Sequence, residues 1–211
     1  SNGAARPTLK AISESPHLAE VYELLDQADP RYVLQGLTRL EELWRTEEKG
    51  PGLLRPAMVG YALLLMTTEP DMLGVTDSVA GRALALLALA KHLGPDLPVA
   101  REVAFLAHAL GYTAHARALA DKGFRPAESP GQEAIEAYIR GDAQALEAVV
   151  EEGGSVLAGY LLTRTLRLSD RRVEATEAAR VLYESSSGSI PGRMELINSK
   201  DFGAAKMLTV I

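Results

Sequence analysis

Residues 104–123, AFLAHALGYTAHARALADKG, and residues 134–153, AIEAYIRGDAQALEAVVEEG, decide the fold. Gly111 falls on Gly141 and Gly123 on Gly153, both at an offset of 30, with no gap between them. In each stretch an apolar helical run stops at a glycine, one or two turn residues follow, and a second run stops at another glycine. Glycine adopts the left-handed backbone without penalty, so the first glycine permits a tight interhelical turn and the second ends the following helix. A looser third copy, GYLLTRTLRLSDRRVEATEAARVLYE from Gly159, has Asp170 at the turn position and Ala175 five residues later, where the first copy has Ala116. A small residue there lets the paired helices approach closely.

Working outward, helical periodicity covers most of the chain. PHLAEVYELLDQ sets Leu18, Val21, Tyr22, Leu24 and Leu25 on one broad face. Pro30 suits the first turn of a second helix, RYVLQGLTRLEELWR, whose stripe of Val33, Leu37, Leu40 and Trp44 places the tryptophan in the core. A third helix is expected over about 53–68, and a fourth, capped by Thr76 or Asp77, stops at Gly94 and Pro95. Later helices fall near 98–110, 112–122, 130–140, 142–152, 155–168 and 170–184. The reading gives about ten helices and no strand signal of strength before residue 189. Short loops make sequence neighbours antiparallel, which leaves a closed bundle or a stack of helical hairpins; the internal repeat selects the stack.

The turns GYTAHA, Gly111–Ala116, and GDAQAL, Gly141–Leu146, partly match the interhelical hallmark of the tetratricopeptide repeat, and the layout resembles that family. The match is best over 97–184 and looser over 16–96; the family's aromatic and proline landmarks are mostly missing, and the units are shorter than its norm. The resemblance implies an all-α, right-handed superhelix of about five antiparallel helix pairs. It implies a protein–protein scaffold whose first helices line a groove for a partner's peptide, with neither enzymatic activity nor a cofactor. Richness in Ala, Arg and Leu suggests a GC-rich bacterium, where such arrays serve polarity, motility, pilus or secretion assemblies and a cytoplasmic setting is expected.

Composition limits other functions. A formal net charge of -6 argues against general nucleic-acid affinity. The chain has no cysteine, which removes thiol catalysis, disulfides and thiolate metal sites. The most apolar stretch, GYALLLM, is far too short to span a bilayer, so no membrane insertion is expected. His17, His92, His108 and His115 include no pair four apart on a helix, so no zinc site is expected, and neither a nucleophile elbow nor a phosphate-binding loop occurs. Glu41–Glu42, Glu47–Glu48 and Glu151–Glu152 read as solvated helix faces.

The repeat register points particular side chains toward the groove. Arg101, Phe105 and His108 face it in the first clear unit, Ile135 and Tyr138 in the second, and Tyr160, Arg164 and Arg167, at spacings of 4 and 3, in the third. Arginine and tyrosine together could clamp carboxylates by bidentate hydrogen bonds and stack on side chains. The bland reading is that the arginines are solubility charges.

The chain divides into a leader, 1–15, whose SNG start reads as a protease-cleavage scar; a repeat domain, 16–184; a Ser/Gly linker, 185–189; and a tail, 190–211. Met194 and Ile197 lie in a short apolar alternation. Phe202, Leu208 and Ile211 form an apolar stripe after a capping Ser199. Three readings of the tail stay open: a disordered end, a helix capping the last repeat, or a native or fused peptide ligand that docks on the repeat domain. Exchange of the tail between copies would make an oligomer. The other functional readings are a self-capping structural subunit and a helical enzyme or small-ligand binder.

Overall fold

The structure, a computed structural model, describes residues 16–46, 51–67, 73–93, 99–152 and 155–185. All regular structure among these residues is helical: α1 Pro16–Asp26, α2 Pro30–Thr46, α3 Leu54–Thr67 after a 3-10 turn at Pro51–Leu53, α4 Leu73–Leu93, α5 Ala100–Ala109, α6 Thr113–Asp121, α7 Pro130–Arg140, α8 Ala143–Glu151, α9 Val156–Leu168 and α10 Arg172–Ser185. Expected and observed ends mostly agree within two residues. The fourth helix differs: it starts at Leu73, so Thr76 and Asp77 lie inside it and do not cap it. Neither residue breaks a helix as proline does, and the last proline before the helix is Pro70.

Three interhelical turns share one hydrogen-bond pattern. Tyr112 N–H donates to the Ala107 carbonyl at 2.9 Å and Gly111 N–H to that of His108 at 3.0 Å. Asp142 and Gly141 repeat this on Ala137 and Tyr138, and Arg171 and Asp170 on Leu166 and Arg167. This is the Schellman closure, and it needs a left-handed residue at its corner. Gly111, Gly141 and Asp170 have φ of 90°, 73° and 57°, so Asp170 does occupy the turn-glycine position. Five residues after each of these left-handed positions, Ala116, Leu146 and Ala175 are buried. A Cβ at Gly111 would meet nothing within 4 Å, and one at Gly141 only Arg117 Nη2 at 3.9 Å. Alanine at either position therefore carries a backbone cost alone, an expected loss of about 1–2 kcal/mol each, measurable by urea unfolding.

Odd and even helices have different roles. α1 packs on α3, α3 on α5, α5 on α7 and α7 on α9, and α1 also touches α9. The odd helices thus form an inner row whose two ends meet. Each even helix packs outside on its neighbours in the chain: α2 on α1 and α3, α4 on α3 and α5, α6 on α5 and α7, α8 on α7 and α9, and α10 on α9. Gly60 of α3 is the most crowded of the described glycines: a Cβ there would lie 2.8 Å from Leu37 Cδ2 and 3.3 Å from Leu25 Cδ2, so a larger residue would make the Leu37 side chain shift.

Trp44 departs from its expected place. It is 43% exposed, because it lies in the last turn of α2, past the last buried position of that helix, Leu43. The leader and the tail anchors Met194, Ile197, Phe202, Leu208 and Ile211 lie outside the described residues. No helix among the described residues is long and apolar enough to cross a membrane.

Candidate functional site

The eight residues assigned to an open groove lie on α5, α7 and α9, and most of them are packed inside the chain and do not line an open surface. Phe105, Ile135, Tyr138, Tyr160 and Arg101 are all buried. The Phe105 and Tyr138 rings meet edge to face, with centroids 6.0 Å apart, and His108 lies against Tyr138 at 4.9 Å. Arg101 is held from several sides. Its Nη1 donates to Gln132 Oε1 at 3.0 Å, its Nη2 donates to the Arg125 carbonyl and pairs with Glu136 at 3.4 Å, and the guanidinium sits over the Phe124 ring. Tyr160 and Arg164 serve the end of α3: the tyrosine hydroxyl donates to the Met66 carbonyl at 3.1 Å and Arg164 Nη1 to the same oxygen at 2.9 Å. A cation and a hydroxyl on the terminal carbonyls of a helix suit both its unpaired acceptors and its dipole. Arg167 is half-buried.

His108 is held below its ordinary pKa, first by burial and then by the charges of Arg117 and Arg164. The unfolded chain therefore binds a proton more readily than the folded one. The stability this contributes is complete above about pH 6.5 and falls as pH drops through the folded value. A His108→Asn variant is expected to show a flatter stability profile between pH 7 and 5 in urea titrations.

One open cavity lies at the helix starts of the inner row. α1, together with the first turns of α3, α5, α7 and α9, lines a cavity of about 780 Å³. Leu18, Leu25, Val59, Ile135 and Leu157 form its apolar lining and are themselves buried. The polar lining comes from different elements: Tyr22 and Asp26 of α1, Arg55 of α3, Glu102 of α5, and Glu128 just ahead of α7. The starts of α3, α5, α7 and α9 thus converge on the side of α1.

The centre of this lining is an ion pair. Arg55 Nε donates to Glu102 Oε1 at 3.1 Å, with the two side chains 16% and 4% exposed, and Arg55 Nη1 reaches Glu128 Oε2 at 3.5 Å. Burial opposes the Arg55 charge, but Glu102, Tyr22 and Glu128 together outweigh it and hold the guanidinium pKa above its usual value. Glu102 Oε2 is buried without a hydrogen-bond partner, an uncommon state for a native carboxylate oxygen. Tyr22 is 39% exposed as a residue, yet its hydroxyl is pushed up to about 12, mainly by burial and further by Glu102 and Glu128 against the opposing pull of Arg55. Asp26 stands near the Ser155 hydroxyl and Val156 N–H at the start of α9; burial raises its pKa and outweighs their opposing pull. Ser155 also caps α9, accepting from Ala158 N–H at 3.0 Å.

Sequence reasoning missed every polar residue of this cavity. One signal was available: Arg55 is the only charged residue in the fourteen-residue α3, and a lone charge in an apolar helix needs a partner. That partner, Glu102, stands 47 residues away.

Among the described residues no group of three or more His, Cys, Asp or Glu could hold a metal ion. No family model matches the chain, and neither curated proteins nor solved structures give a match.

Proposed function

We propose that this chain is a non-enzymatic helical scaffold that recruits a protein partner by holding a short peptide segment. The observation that carries this reading is the cavity of about 780 Å³ lined from five helices, with an apolar lining and polar groups from separate elements. A site of this volume accommodates a few side chains, and its mixed lining suits anchoring by apolar contact with orientation by hydrogen bonds. The alternating contacts of odd and even helices, and the three like turns, support the hairpin-stack reading on which the scaffold role rests. In this reading the peptide enters at the helix starts, while the inner face carrying Phe105, Tyr138 and Tyr160 packs the row together.

The same cavity volume also favours a second reading, a binder of small molecules. Selection of a random-sequence peptide display library on the full chain separates the two. Residues 190–211 supply the first single peptide to titrate, since in the chain a short linker would hold them at about millimolar effective concentration. The control variant is Gly131→Trp. Gly131 lines the cavity, and a Cβ there would make only ordinary contacts, the nearest at 3.7 Å to Asp26 Oδ1. Enriched peptides are expected to bind the full chain saturably and the Gly131→Trp variant at least tenfold more weakly, with its helical circular dichroism retained. Failure to enrich any peptide, or equal binding to the variant, would refute the recruitment reading.

A further inference from the structure

We infer that the cavity selects a basic side chain, the ammonium of a lysine or the guanidinium of an arginine, and that Glu102 is its anchor. This inference rests on the peptide-recruitment reading and specifies what the peptide must carry. Three observations support it together. First, the lining is negative: Glu23, Asp26, Glu102 and Glu128 face a single cation, Arg55. Four helix starts also border the cavity and pull the other way, each equivalent to about half a positive charge. Crediting all four still leaves the acids in excess, and the chain meets these starts with its own groups. Asp26 stands near the Val156 N–H at the start of α9, Glu102 lies in the first turn of α5, and Ser129 caps α7 beside Glu128.

Second, Glu102 is 3% exposed, lines the cavity, and keeps Oε2 without a partner. Arg55 satisfies only Oε1. Leaving a buried carboxylate oxygen unmade is costly, and an incoming N–H donor removes that cost on binding. Oε2 has no accessible surface as it stands, so a donor reaches it only when the carboxylate turns. That torsion is broad and soft, and because both oxygens turn together, Arg55 keeps a contact by exchanging one oxygen for the other. Third, the acids are spread around a large cavity and none of them forms a cluster able to hold a metal ion. Dispersed carboxylates over an apolar lining of Leu18, Ile135 and Leu157 match a long side chain with an apolar stem and a charged head, which is the form of lysine and arginine. Tyr22, held as the neutral phenol, stands ready as a further hydrogen-bonding group.

The experiment uses the full chain and a set of acetylated, amidated pentapeptides ALXLA, with X lysine, arginine, norleucine, citrulline or glutamate, titrated to about 10 mM and followed by amide chemical shifts. The lysine and arginine peptides are expected to bind at least tenfold more tightly than their neutral counterparts. Glu102→Gln, which keeps an acceptor for Arg55, is expected to remove that preference. Glu128→Gln, at a side chain 68% exposed and so without risk to folding, is expected to reduce it severalfold. Equal binding of norleucine and lysine peptides, tighter binding of the glutamate peptide, or a preference that survives both substitutions overturns the basic-side-chain inference and leaves peptide recruitment standing. Shifts with none of the five peptides, together with a display selection that enriches nothing, overturn both.

Discussion

Replacing Phe105 by alanine is expected to destabilise the chain by about 3–5 kcal/mol, which for a domain of this size lowers Tm on the order of 10 °C. Phe105 has no exposed surface. It belongs to α5, which packs on α3 and α7 in the inner row and on α4 and α6 outside it, so a void there is walled by helices that cannot all move inward. The loss has two parts, the transfer of the ring from the interior and the cavity that incomplete relaxation leaves behind. It also removes the edge-to-face contact with Tyr138, worth about 0.5–1.5 kcal/mol beyond area burial. Urea unfolding followed by circular dichroism measures the effect, with Leu168→Ala as the comparison. Leu168 is 67% exposed, and its loss is expected to stay within about 0.5 kcal/mol. Similar midpoints for the two variants would mean that the inner row is not the stabilising core of the protein.

The second large effect is expected at the cavity. Arg55→Met keeps most of the apolar volume of the side chain and removes its charge, leaving Glu102 buried beside no cation. Breaking a buried pair from one side costs about 3–5 kcal/mol, chiefly through the uncompensated charge that stays behind. The double variant Arg55→Met with Glu102→Leu removes both charges, and most of the lost stability is expected to return. A double-mutant cycle in urea gives the coupling directly. If the double variant were no more stable than Arg55→Met alone, the loss would come from packing of the arginine stem and not from a stranded carboxylate.

How much could be read in advance follows from which interactions are local. Helix ends were legible because the signals that set them act over a few residues: Ser155 capping α9, Pro130 opening α7, Gly141 closing it with a left-handed φ. The repeat was legible for the same reason, since the turns at 111, 141 and 170 close with bonds between residues three and five apart. The register implied by the tetratricopeptide resemblance points Phe105, Ile135, Tyr138 and Tyr160 toward an open groove, whereas the structure buries all four. Trp44 shows the limit of periodicity itself, because a stripe names a direction around the helix and not whether another element lies there.

From the sequence alone, then, came the all-helical class, the number and near-ends of the helices, and the register of their turns; these follow from backbone propensities and hydrogen bonds within single turns. Only the tertiary structure decided what the inward faces meet. The contact of α1 with α9 joins the ends of the inner row. It depends on how helices far apart in the chain pack, which no short window of residues encodes. The same long-range packing brings Asp26 to the start of α9, Tyr160 and Arg164 to the Met66 carbonyl, and Arg55 to Glu102. The cavity and its unpaired carboxylate oxygen arise from those long-range meetings, so they emerge only when the helices are packed.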